Sequence, residues 1–128
     1  MATIPHGLLG AWTLLSYEDR EDGEGVWTRP YGEARGLVVY HPSGALAVIV
    51  TAGSGAADGV TGLSYFGRFE VRDWTERQGA ISGIVLHHMD GASDPELLPD
   101  EPERDFTLSG DTLILGDQRT YRRTFLRT

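Results

Sequence analysis

Residues 36–51 read GLVVYHPSGALAVIVT, and this stretch decides the fold. Gly36 to Tyr40 and Ala45 to Thr51 are rich in β-branched and aromatic residues, which suit a pleated, half-buried surface. Between them stands His41-Pro42-Ser43-Gly44. Its Pro fixes one φ angle and its Gly supplies conformations closed to other residues, so the spacing predicts two strands joined by a tight turn. Leu37-Val38-Val39 is apolar at every position, as is Ile84-Val85-Leu86 further on. Strict alternation therefore fails, and the pattern alone does not assign which of these side chains point inward.

The same punctuation continues in both directions. Upstream, Gly10 to Glu18 reads as a first strand, closed by the polar cluster Asp19–Gly25 with its Asp22-Gly23 hairpin dipeptide. Val26-Trp27-Thr28 is expected to continue a strand until Pro30 removes a ladder donor. Downstream, the Gly-rich stretch Ala52 to Thr61 is either a mobile loop or the start of a short helix. Tyr65 to Val71 and Ile81 to Met89 read as strands separated by a charged turn, Asp73 to Gly79. The acidic, proline-bearing Gly91 to Pro102 reads as a surface loop. Three short strands close the chain: Arg104–Leu108, Thr112–Leu115 and Arg119–Leu126. Eight strands with frequent turn signals and no crossover helix predict an all-β, eight-stranded antiparallel barrel spanning residues 1–128 as one domain. A barrel of eight strands encloses room for side chains or for one small ligand.

Composition removes several function classes. The 128 residues carry 11 basic and 19 acidic side chains, a formal net charge of −8. Every basic residue is arginine; lysine, cysteine and asparagine are absent. Lysine Schiff bases, phosphate-loop lysines, thiol nucleophiles, disulfides, thiolate metal sites and N-glycosylation are thereby excluded. The acidic balance without a basic run argues against nucleic acid and anionic membrane as partners. No apolar run reaches the roughly 18–20 residues of a spanning helix. MATIPHGLLGAW lacks the charged start and apolar core of a signal peptide, so the expected address is the cytoplasm. Oligomeric state is left open, with a homodimer among the options.

The sharpest polar feature is His87-His88. Neighbours on a strand face opposite ways, so one enters the barrel and the other does not. His87 shares parity with Val85 and Met89, whereas His88 shares it with Leu86 and Asp90, which favours His87 inward. A bulge near Gly83 would swap the two. An inward histidine is either a neutral core residue satisfied by a tyrosine hydroxyl or carbonyl, or a general acid–base group. Parity sets Tyr65, Phe69 and Val71 on one face as barrel lining, and Phe66, Arg68 and Glu70 on the other as an exterior charge pair. Tyr40, Tyr65 and Tyr121 are candidates to orient a ligand carbonyl, and Trp27 and Tyr31 to line the mouth. The candidate catalytic residues are thus His87 and Tyr65, with Tyr40, Phe69, Met89, His88 and Trp27 as ligand contacts. No metal or cofactor is expected: no H-x-H or H-E-x-x-H pairing occurs, Gly53-Ser54-Gly55 is no nucleotide fingerprint, and the acidic loop lacks calcium-binding spacing.

Gly10-Ala11-Trp12, opening the first strand, resembles the G-x-W signature of lipocalins and the wider calycin group. The resemblance implies that Trp12 plugs a closed end of the barrel under an arginine of the last strand, Arg122 or Arg123, with Arg123 favoured. Pro30-Tyr31-Gly32, Gly36–Tyr40, Tyr65–Val71, Leu86-His87-His88 and Phe106–Leu113 resemble, in family order, the bacterial lipocalin-like domain family. These blocks cover nearly the whole chain. The departures lie in the shortened Ala52–Leu63 and the acidic Gly91–Pro102. What the resemblance implies is a small-molecule barrel of secondary metabolism that takes an apolar, polyketide-like compound. Cofactor-free cyclisation or isomerisation is its candidate chemistry, and a non-catalytic carrier or self-resistance protein is the alternative.

Overall fold

A computed structural model describes residues 3–98 and 103–128. Eight antiparallel strands form one closed barrel in sequential order, the last pairing with the first. They are β1 (Gly10–Asp19), β2 (Arg35–Tyr40), β3 (Ala45–Thr51), β4 (Gly62–Arg77), β5 (Ala80–Ala92), β6 (Glu103–Ser109), β7 (Thr112–Leu115) and β8 (Tyr121–Arg127). The deciding hairpin pairs Gly36 with Val50 and Tyr40 with Leu46. Up-and-down closure leaves no sheet edge exposed.

Three segments, Val26–Thr28, Asp73–Gly79 and the acidic stretch after Gly91, depart from expectation, whereas the Gly-rich 52–61 segment takes the loop form of its two alternatives. Val26–Thr28 forms no strand; Thr28 makes an isolated bridge to Asp19. Asp73 to Gly79 is not a turn. Asp73, at φ 55°, sits where the β4–β5 register shifts, so both strands run on to a two-residue turn at Gln78 (φ 52°) and Gly79 (φ 82°). Two positive φ angles make a turn whose twist matches that of the flanking strands. The Gly-rich 52–61 segment is a loop without helix, stitched to the 30–33 segment. Gly53 N–H donates to the Tyr31 carbonyl, Glu33 N–H to that of Ser54, and Ala57 N–H to that of Pro30. In the acidic segment, β5 extends to Ala92 and a single 3-10 turn follows at Pro95–Leu97. Asp100 and Glu101 lie outside the described residues.

The two ends of the barrel differ. At one end a 3-10 turn (His6–Leu8) folds under the barrel and Leu8 is fully buried. Trp12 is also fully buried, and its indole Nε1–H donates to the Leu8 carbonyl at 2.9 Å. Above this plug Phe106, Leu108, Leu113, Val71 and Phe69 fill the interior. The arginine across Trp12 is Arg127, whose guanidinium carbon lies 4.2 Å from the ring centroid. It is neither Arg122 nor Arg123. β8 runs from the open end to the closed end, so those two side chains belong to its opposite extremity.

Candidate functional site

The half of the barrel away from Trp12 is not filled. It holds a cavity of about 390 Å³. Its walls are mainly apolar, with Val48, Val50, Leu63, Met89, Leu115 and Phe125 among them. Such residues are what unbroken hydrophobic strands supply to an interior. The polar groups gather separately: His87, Tyr65 and Arg104, with Tyr17, Tyr121 and Arg123 nearer the mouth, and Glu103, which is paired with Arg72.

His87 faces inward and is 1% exposed. It stands between two tyrosines. The Tyr40 hydroxyl is 2.6 Å from its Nε2 and the Tyr65 hydroxyl 2.7 Å from its Nδ1. Three strands supply the three side chains: the adjacent pair β4 and β5 gives Tyr65 and His87, and β2, separated from β4 by β3, gives Tyr40. Burial is the main reason the His87 pKa drops to about 3, and the positive charge of Arg104 adds to it. The ring is therefore neutral, with one N–H to give and one lone pair to offer. Burial likewise raises the Tyr40 pKa well above the usual phenol value and pushes Tyr65 up to about 12, so both are protonated donors. The positive charge of Arg104 opposes part of that rise.

Four of the predicted ligand contacts, Tyr40, Phe69, His88 and Trp27, fall outside the cavity lining. Tyr40 is fully buried below the cavity and reaches it only through His87. Phe69 lies deeper still, edge-on to Tyr40 at 4.9 Å between centroids. His88 is on the outer face, its Nε2 3.6 Å from Glu70. Asp90, which shares its parity, pairs instead with Arg68 at 3.7 Å. Trp27 is gripped between the guanidinium groups of Arg20 (4.4 Å) and Arg122 (4.0 Å), outside the cavity lining. Tyr31 packs edge-on against Tyr17, a cavity residue. Met89, Tyr65, Tyr121 and His87 do reach the cavity. Arg123, expected at the plug, stands at the mouth, 3.5 Å over the Tyr17 ring and 2.7 Å from Asp19 Oδ1.

Three polar residues of the cavity lining, Arg104, Tyr17 and Glu103, are absent from the sequence reading. Arg104 shares strand parity with Phe106 and Leu108, both buried, so alternation along Arg104–Leu108 points it inward. That signal was available. Tyr17 was not legible, because the β1–β8 register shifts between Leu14 and Ser16 and reverses the parity beyond it.

Among the described residues no three His, Asp or Glu side chains converge as a metal site. No helix of the described chain is long and apolar enough to cross a membrane. No protein-family model, curated protein or solved structure matches this chain. Its eight-stranded closed barrel is consistent with a calycin-like fold.

Proposed function

We propose that this protein binds one small, mainly apolar molecule inside its barrel. The observation that carries the reading is the asymmetry of the interior. The Trp12 half is packed solid, whereas the other half keeps a cavity of about 390 Å³. Ligand sites typically occupy roughly 300–1,000 Å³, with apolar walls and a few convergent polar groups. A barrel serving stability alone gains from filling that space with its own side chains, since interiors pack densely. The G-x-W opening and the ordered blocks that resemble the bacterial lipocalin-like domain family support the same reading, and with it a compound of polyketide-like character.

A catalytic version has one specific support, the Tyr40–His87–Tyr65 chain at the cavity floor. A neutral hydrogen-bonded relay beside an apolar cavity suits cofactor-free isomerisation or cyclisation, where a substrate is held near its reactive geometry and one oxygen is polarised. A carrier that only sequesters its ligand uses the same cavity without turnover.

The test is native mass spectrometry of protein purified under non-denaturing conditions, paired with a Val50→Trp variant whose indole fills the cavity. A bound small molecule in the wild type, lost in the folded variant, is the expected result. No adduct, together with no melting-temperature response to any of a panel of apolar ring compounds, sinks the reading.

A further inference from the structure

The geometry points to a ligand that presents a hydrogen-bond-accepting oxygen, a carbonyl or carboxylate, to the Tyr65 hydroxyl. This rests on the binding reading above and adds the chemistry of the ligand's polar end. It follows from counting protons along the chain of three side chains.

Tyr40 is 0% exposed, and among the described residues its hydroxyl has one hydrogen-bond partner, His87 Nε2. A buried hydroxyl left with its hydrogen unsatisfied keeps the full desolvation penalty of that group. Tyr40 therefore donates to Nε2, which must be the unprotonated nitrogen. The single proton of the neutral ring then sits on Nδ1 and is donated to the Tyr65 oxygen at 2.7 Å. This is the reverse of the tautomer that free histidine prefers in water. Tyr65 already accepts that bond, and the positive charge of Arg104 bears on the same side chain. Its own O–H hydrogen is directed neither at His87 nor at Arg104, which has no acceptor to offer. It finds no acceptor among the described residues, and Tyr65 lines the cavity. The opposite direction, with Nε2–H donating to Tyr40 and Tyr65 donating to Nδ1, leaves the Tyr40 hydrogen without an acceptor in the core.

The chain thus has a sense, from Tyr40 through His87 to Tyr65 and into the cavity. Each link polarises the next, so the terminal O–H is a stronger donor than an isolated phenol. Arg104 adds positive charge beside the same oxygen. Such a floor favours an oxygen carrying partial or full negative charge and offers nothing to an alkyl end. Tyr65 is the binding group, and Tyr40 is a positioning residue that acts through His87.

Three probes of nearly equal shape test this: 2-ethylnaphthalene, 2-acetylnaphthalene and 2-naphthoate, titrated by tryptophan fluorescence and calorimetry. The acetyl or carboxylate probe should bind at least about tenfold more tightly than the ethyl probe, one good hydrogen bond being worth about 1.4 kcal/mol. In Tyr65→Phe that preference, read as the ratio of the two affinities, should vanish, and in Tyr40→Phe it should shrink. Long-range proton–nitrogen NMR correlations should independently show His87 protonated on Nδ1. Equal binding of all three probes overturns the inference and leaves the binding reading intact. Binding of none overturns both, and an Nε2-protonated ring overturns the directional chain on its own.

Discussion

Arg127 lies over the face of Trp12 and reaches past it, donating from Nη1 to the Leu9 carbonyl at 3.2 Å and from Nη2 to that of Gly7 at 2.5 Å. One guanidinium thereby ties the last strand to the N-terminal turn while covering the plug. Trp12 in turn holds the Leu8 carbonyl through its indole N–H. The closed end thereby joins residues 7–12 to Arg127 of the last strand.

Replacement of Trp12 by alanine is therefore expected to cost about 3–5 kcal/mol, the range for a fully buried large aromatic. Arg127→Ala should cost less, about 1–2 kcal/mol, for the lost ring contact and carbonyl bonds. Arg123→Ala should leave the closed end unaltered, because Arg123 stands over Tyr17 at the other end. Thermal melts of the three variants check the order, and near-wild-type melting of Trp12→Ala would remove the plug assignment.

At the open end, Glu18 is a buried carboxylate held by Arg122 at 2.8 Å and Arg29 at 3.4 Å. The Arg122 hydrogen bond, ahead of the nearby arginine charges, keeps its pKa below the usual carboxylate value despite partial burial. Glu18→Ala should destabilise by about 1–3 kcal/mol, the cost of stranding a charged hydrogen-bond partner. Because Arg122 also covers Trp27, the variant should change Trp27 fluorescence as well. An unchanged spectrum together with unchanged stability would show that the cluster contributes nothing.

Gly67 faces the interior opposite Met89, where the β4–β5 register shifts and Asp90 is left over. A Cβ at this position would collide with the backbone carbonyl of His88, which cannot swing aside as a side-chain tip would. Gly67→Ala should therefore cost about 1–3 kcal/mol. It should also disturb the Tyr65–His87 bond, since both residues flank the same irregularity. A variant with wild-type melting and unchanged His87 resonances would contradict this.

The strands were legible in the sequence because Pro, Gly and Asp-Gly signals bracket them, and each hairpin closes locally. The inward placement of His87 was legible too, since no register shift intervenes between Val85 and Met89. What escaped was governed by irregularities that leave no compositional mark. The shift at Leu14/Ser16 carries Tyr17 into the cavity, and Asp73 absorbs a kink where its polarity suggests a turn. The plug arginine escaped for another reason: Arg122, Arg123 and Arg127 share a strand, and only the barrel's closure register places Arg127 opposite Trp12. Tyr40 reaches His87 from β2 across the barrel, and Tyr65 comes from the adjacent β4 but not from the position paired with His87, which is Phe69, so no local spacing announces either partner.

His87 makes folding sensitive to acid in a predictable sense. Its folded pKa is about 3, depressed first by burial and then by the charge of Arg104, against an ordinary value of 6.5 in the unfolded chain. Above about pH 6.5 both states hold the ring neutral and its contribution is fully present. As pH falls below that value the unfolded chain takes up a proton that the folded barrel refuses. Stability is then lost by about 1.4 kcal/mol per pH unit until the folded pKa is approached. Between about pH 6.5 and pH 5 the wild type should therefore lose about 2 kcal/mol more than a His87→Gln variant, whose side chain cannot titrate. Urea melts of both proteins across this interval measure the difference. The NMR signals of His87 should meanwhile stay fixed while the protein remains folded. If they move with a midpoint near the ordinary histidine value, or if both proteins lose stability in parallel, the ring is not the neutral, doubly bonded group that its two tyrosines imply.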